Sequence, residues 1–507
     1  MKKLVLAVVT AVAVLGAALI PSGAPVEAAT AGFGSAVSAI KQPSWQTNSS
    51  VNALAVAGNV VFAGGLFTRI RQPGKPAGQG EIARTYIAAF DRTTGAPTGF
   101  APKLNGAVWA IATSPDGKWV VIGGDFTTVN GIKRNHIAMF SVSTGRMVAA
   151  WDPSVATRVK AIAISNAAVF FGGSFGTVDG VVRNRLAAVR LLYGDLLPWN
   201  PNADDDVYAI DMADNLSRVF VGGPFTRINN KDHYSLAMIN ISSGAAYSMP
   251  AAAAIPKPTL NCTTRVKDID TLGNKVFVAN GGDGRGCYDG VLAADATTGQ
   301  LLWQNKCLGA TEAIKAIGNW VYKGSHAHDC SSSGAFPEGT GTHYLLVESG
   351  IDGKIGPWFP NTDANPNSTT KVGPLAFASG GNDLWVGGDF LNVNGKVQQG
   401  LTRFTNAAGG AAPSTPKAPA LSSTVANQVS VSFKDGYDLD NLTLTYNVFR
   451  GATNISSQKR TTYFWEPRKT ITVVDKGVKS GQTVSYHIEI HDGRNIRKGP
   501  AFSVKVR

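Results

Sequence analysis

Apolar and polar residues alternate along most of the chain in short stretches such as VNALAVAG from Val51, the period-two pattern of half-buried strands. The stretches recur. VVFAGGLFT from Val60 returns as VVIGGDFTTVNG from Val120, VFFGGSFGTVDG from Val169, VFVGGPFTRINN from Val219 and LWVGGDFLNVNG from Leu384. The phenylalanine after the paired glycines falls at Phe67, Phe126, Phe175, Phe225 and Phe390, at spacings of 59, 49, 50 and 165. The long interval holds three spacings of 55, so two degenerate copies belong inside it; KVFVANGGDG from Lys275 and WVYKGSHAHD from Trp320 fill those places and bring the count to seven.

Each copy has four strand-like pieces: a short apolar strand, the double-glycine strand, a third strand such as HIAMFSV from His136, and an aromatic-plus-proline piece. Four strands per repeat of about 50 residues predict an all-β fold, a β-propeller of about seven blades over residues 42–405. The fourth strand is marked by Phe100, Trp151, Trp199, Trp303 and Trp358, and the last copy lacks one. QPSWQTN, Gln42 to Asn48, is therefore expected to cross over as the outer strand of the last blade and close the ring.

The repeat, V-x-x-G-G-x-F with a following glycine and then R-N-x-[IL]-A, resembles the delta-60-like propeller repeats of secreted bacterial proteins. Gly131 with Arg134-Asn135-His136-Ile137-Ala138, and Gly180 with Arg183-Asn184-Arg185-Leu186-Ala187, carry the likeness. The resemblance implies architecture and no shared catalytic set. After an Ala/Gly/Pro/Ser linker, 406–419, five alternating stretches fill residues 420–507. GVKSGQTVSYHIEI from Gly477 resembles the approach to strand F of a fibronectin type III domain, with Tyr486 at the corner and Phe433 in place of the usual core tryptophan. That resemblance implies a β-sandwich that acts as a spacer or surface contact.

Residues 1–29 have two lysines, an apolar run from Leu4 to Ile20, helix breakers and small residues at Ala28 and Ala29, the layout of a signal peptide. A secreted, extracellular or cell-surface protein with no membrane span after cleavage is expected. The net charge of +13 is concentrated late, with 14 Lys and Arg against 7 Asp and Glu from Ser414 onward. Such a basic exported chain favours anionic partners such as wall polymers, and nothing in it reads as a nucleic-acid module.

Four cysteines in an exported chain read as disulfides, and blade topology pairs Cys262 with Cys287 and Cys307 with Cys330. No CxxC pair supports a metal site, and no cofactor is expected. The copy at Gly324 breaks its own rule with GSHAHDC, making His326, His328, Asp329 and His343 candidates for acid–base or metal chemistry, against the alternative of a hydrogen-bonded, disulfide-pinned loop. Asp204, Asp205 and Asp206 form an acidic loop on the same face, while Asp125 and Asp389 are expected to tie loop to strand with Arg134. Basic loop residues Arg69, Arg71, Lys75, Arg185, Arg227 and Lys231 are the candidate ligand contacts, with Arg84, Arg134 and Arg183 structural. G-x-S-x-G, HExxH and P-loop motifs are absent. The function expected is a non-catalytic binding protein whose loop face contacts a glycan, an anionic cell-wall polymer or a protein. The alternative is a secreted carbohydrate-active enzyme, a glycoside hydrolase or polysaccharide lyase.

Overall fold

The computed structural model describes residues 37–213, 217–284, 287–368, 371–406 and 410–507, so the expected signal peptide and part of the expected linker lie outside the described residues. The strands build a β-propeller. Among the described residues, seven inner strands stand side by side: Val51–Ala57, Val108–Thr113, Val159–Ile164, Ala209–Ala213, Cys262–Leu272, Thr311–Ile317 and Pro374–Ala378. Each touches the next, and the last touches the first. Outward from each lie antiparallel second and third strands, as Val60–Gly65 and Ile87–Asp91 follow Val51–Ala57.

The paired glycines let these sheets seat on one another. A Cβ placed on Gly123 would lie 2.5 Å from Val159 Cγ1, one on Gly172 2.6 Å from Val207 Cγ1, and one on Gly387 2.5 Å from Val51 Cγ1. In each case the valine belongs to the next sheet round the ring, and at Gly387 the next sheet is the first. The second glycine has a different task. A Cβ on Gly65, Gly124 or Gly173 would collide with the carbonyl oxygen of Ser50, Ala107 or Arg158, the residue just before the inner strand of the same sheet. The phenylalanine that follows is fully buried in every regular copy, at Phe67, Phe126, Phe175, Phe225 and Phe390.

The outer edge differs from expectation. In four sheets the fourth strand is a single bridge, such as Phe140 to Met147 and Val189 to Leu196, and the marker aromatic, Phe100, Trp151, Trp199 or Trp358, lies beyond it. Pro153, Pro201 and Pro360 follow Trp151, Trp199 and Trp358 and cannot donate to a ladder, so pairing stops and the indole turns inward. Trp151 Nε1 then donates to Arg190 O and Trp199 Nε1 to Asn240 O, each in the next sheet.

The closing strand lies one step upstream of the expected segment. Lys41 and Gln42 pair with Phe404 and Arg403 in the last sheet. Pro43 ends that ladder, and Gln46–Thr47 pairs instead with Arg71 and Ile70 of the hairpin that Arg69–Arg71 and Glu81–Ala83 form in the loop after Val60–Gly65. Arg403 locks the seam: its guanidinium donates to Pro43 O, Arg92 O and Thr93 O and lies over the Trp385 ring.

Gly34–Arg507 form one unit, and its last strands make two sheets. Ala420–Ser422, Val429–Lys434 and Thr470–Asp475 face Thr443–Arg450, Thr453–Thr461, Thr483–His491 and their edge partners across a core of Val431, Phe433, Tyr446, Tyr486 and Ile488. Tyr486 donates to Asp475, which Arg450 also holds. These sheets are bolted to the ring: Asp440 accepts from Ser38 Oγ, Ala39 N and Ala411 N, and Phe359 N donates to Leu439 O.

Gly172→Ala and Gly173→Ala are expected to lower stability by about 1–3 kcal/mol each, the usual range for overpacking, with the larger loss at Gly173, where the obstacle is backbone. Gly176→Ala, with open space around its Cβ, is expected to stay within about 0.5 kcal/mol of the parent. Thermal melts of the three variants decide; equal losses at all three would contradict the seating role.

Candidate functional site

Six of the inner strands among the described residues carry a bulge, where the pairing skips one residue: the second of the strand at Asn52, Trp109, Lys160, Glu312 and Leu375, and one further along the longer Cys262–Leu272 at Lys267. Tyr208, just before Ala209–Ala213, takes the seventh place and donates its N–H to Gly222 O. A bulge leaves one residue out of the ladder and re-aims its side chain. All seven line the central channel, a cavity of about 630 Å³. They stand at its mouth, because the start of each inner strand pairs with the end of the second strand, from which the long loops emerge.

The mouth is wired by charge-assisted bonds between neighbouring sheets. Asp125 accepts from Trp109 Nε1 at 2.8 Å and from Arg158 Nε at 2.5 Å, and that guanidinium lies 4.8 Å from the centre of the Trp109 ring. Lys160 donates to Asp206 at 2.7 Å and sits 4.5 Å above the Tyr208 ring. Asp206 also accepts from Ser174 Oγ and faces Arg185. Lys267 and Glu312 pair at 3.2 Å. The result is a rigid ring bearing an indole, a phenol and alternating charges, each held by a partner.

Deeper in the channel, Asp211, Asp268 and Asp270 face Lys315. Each carboxylate reaches into the next sheet: Asp211 accepts from Thr271 N, Asp268 from Ile314 N at 2.9 Å, and Asp270 from Ala316 N. Burial and then the neighbouring Asp270 charge push Asp211 up to about 7, against the pull of Lys315. Burial foremost does the same for Asp268, also to about 7.

The sequence-predicted residues fare unevenly. Arg69, Lys75, Arg227 and Lys231 are exposed on the loops. Arg71 is 2 % exposed and spent on Gln46, Gln399 and Glu81, so it braces the seam and is unfit as a ligand contact. Arg185 is half-buried and donates to Ser174 O and Phe175 O, which makes it part of the mouth's wiring. Arg84, Arg134 and Arg183 clamp loop carbonyls in equivalent ways, for instance Arg134 on Lys133 O and Ala149 O. Asp125 pairs with Arg158 of the next sheet rather than with Arg134, because its strand end points across the blade gap. Asp389 accepts from Asn365.

Asp204 caps the N–H groups of Thr226 and Arg227, as Asn48 caps Thr68 and Arg69 and Asn105 caps Thr127 and Thr128, so it is a repeated loop cap. Asp205 accepts from Asp206 N. The histidine set disperses. His326 is half-buried near Glu312 and Lys267, where burial lowers its pKa. His328 meets Glu338 at 2.6 Å, Asp329 accepts from Ser331 N, and His343 is buried against Phe336 and Phe464. Among the described residues no group of three His, Cys, Asp or Glu comes together as a metal-binding set.

Cysteines occupy the place of a lost hairpin. In five sheets the loop after the second strand folds into a small hairpin, such as Thr128–Val129 with Ile132–Lys133. The fifth and sixth sheets show none among the described residues, and there Cys262–Cys287 joins the first residue of the inner strand, and Cys307–Cys330 the approach to it, to that loop.

Trp109, Tyr208, Arg158 and Lys160 are the mouth residues that sequence reasoning passes over. A signal is present for three of them: the residue after Val51, Val108, Val159 and Val207 is Asn, Trp, Lys and Tyr in turn, within an otherwise repeated apolar stretch.

Residues 114–138 match a family described as a domain of unknown function (DUF5122) beta-propeller. No curated protein matches the chain. Two solved structures are similar at low identity. A structure of U3-55K has 10% identity and a TM-score of 0.44, covering 72% of this chain and 100% of that one. The WD40 repeats of RRP9 have 11% identity and a TM-score of 0.44, covering 72% and 99%. No helix among the described residues is long and apolar enough to cross a membrane.

An unfolded aspartate ionises near 3.8, whereas Asp211 and Asp268 hold their protons to about 7. Between those values the folded state binds more protons, so these groups make stability fall as pH rises. Asp268→Asn is expected to flatten the decline in Tm from pH 5 to pH 8; an unchanged slope would refute the assignment.

Proposed function

We propose that this is a non-catalytic binding protein, exported and retained outside the cell or at its surface, that grips an extracellular glycan at the channel mouth of a seven-bladed propeller. Residues 420–507 form a fibronectin type III-like domain that supports the ring. The observation that carries the reading is the mouth itself. A frame repeated from sheet to sheet holds seven positions at one opening, and those positions vary: Asn52, Trp109, Lys160, Tyr208, Lys267, Glu312 and Leu375. Variation confined to one face of a rigid scaffold is what a recognition surface looks like. Trp109 and Tyr208 offer flat apolar area with polar edges, suited to sugar rings. The exposed Arg69, Lys75, Arg227 and Lys231 add a positive rim that favours an anionic wall polymer. Two disulfides are compatible with an oxidising compartment.

The enzyme reading has weaker support, since the histidines do not gather and the channel aspartates are committed to backbone N–H groups. Incubation with insoluble cell-wall polysaccharide followed by centrifugation tests both. The protein is expected in the pellet without soluble fragments, and Trp109→Ala with Tyr208→Ala is expected to weaken retention at least about tenfold, or roughly 1.4 kcal/mol. Unaltered retention in the double variant would remove the mouth from the binding site, and soluble fragments would establish an enzyme.

A further inference from the structure

A second cavity, of about 730 Å³, opens where the C-terminal sheets meet the ring. It shares no lining residue with the channel. One wall is apolar: Phe359, Leu439 and Phe464, with Tyr437 at the rim. The other is polar, and its charges and amides are already spent. Asp363 accepts from Leu391 N, Asn392 N and Asn392 Nδ2, and the amides of Asn361 and Asn394 donate to Thr342 O and Ala39 O.

Two polar atoms on the lining are not spent. His343, 8 % exposed, and Thr362, 5 % exposed, both line the cavity, and His343 Nε2 and Thr362 Oγ1 are buried without a hydrogen-bond partner. Both atoms are shielded from solvent, and a buried polar atom left unpaired costs about 1–3 kcal/mol, so a turn of either side chain toward the cavity to meet an incoming hydroxyl recovers a bond. The His343 ring packs edge-on against Phe336, centroids 4.2 Å apart, and Phe464 at 4.9 Å. Burial holds that imidazole down at about 4, so it is neutral at physiological pH and presents no charge to a ligand.

We propose that this cavity binds a neutral pyranose unit, one face of the sugar on Tyr437 and Phe464 and its hydroxyls on His343 Nε2 and Thr362 Oγ1. The size falls within the range of small-molecule sites. Its lack of an uncommitted charge selects against anionic and cationic ligands, for which desolvation would go unrepaid. The site stands apart from the channel mouth, so the two readings fail separately.

The test is titration of the intact protein with methyl β-glucoside, methyl β-galactoside and methyl β-N-acetylglucosaminide, followed by saturation-transfer NMR and calorimetry. At least one is expected to bind with a dissociation constant on the order of 1 mM, as suits a ligand of that size. Thr362→Val keeps the side-chain shape and removes the hydroxyl, and Tyr437→Ala removes the rim. Each is expected to weaken binding about fivefold, the worth of one hydrogen bond or contact. Melting curves confirm that both variants are folded. Absence of saturation transfer from all three glycosides, or binding that survives both substitutions unchanged in folded protein, would overturn the proposal.

Discussion

The ring depends on an absence. Where other strands carry a Cβ, the first glycine of the regular pairs offers bare backbone, and a valine at or near the start of the next sheet's inner strand fills the space. Interiors pack as densely as organic crystals, so one extra carbon there must displace something. The contact recurs from Gly64 on Val108 through Gly222 on Val266 and returns at Gly387 on Val51, so the closing interface uses the same joint, while Gly281 and Gly324 meet Ala310 and Pro374 instead. The second glycine fixes the start of the inner strand against its own sheet, which allows the bulge that aims Asn52, Trp109 and Lys160 at the channel.

Much of this is legible in the residues. The double glycine and its phenylalanine recur because their positions tolerate almost nothing else, and the disulfide pairing follows from which loops share a face. The mouth is harder to see. Asn52, Trp109 and Lys160 sit inside apolar stretches whose period slips by one residue at the bulge, so alternation labels them as ordinary outward positions. Arg71 misleads for the opposite reason. It occupies a polar loop in sequence, yet Gln46–Thr47 folds over that loop and buries it. Asp204 looks like part of an acidic cluster until it is placed beside Asn48 and Asn105, whose shared feature is a side-chain oxygen at a loop cap.

The fifth and sixth sheets show how a repeat is relaxed. Regular copies hold the long loop with a hairpin, joined in the first, second, fourth and seventh by an Asn or Asp cap; these two hold it with a covalent bond from at or before the start of the inner strand. Freed from the hairpin, the sixth loop reaches toward the C-terminal sheets, where Phe336 meets Trp465 with ring centroids 5.7 Å apart. The departures at GSHAHDC thus place His343 at a junction between modules, where it lines a cavity.

The seam has a consequence for biosynthesis. Lys41 and Gln42 leave the ribosome long before Phe404 and Arg403, and the carboxylate that steadies them through Ser38 belongs to Asp440, 402 residues later. Throughout translation the nascent ring therefore keeps two unsatisfied strand edges, the hazard that closed sheets exist to remove. A chain interrupted before Arg403 lacks the partner strand of Lys41 and Gln42, so its first residues have nothing to seal against.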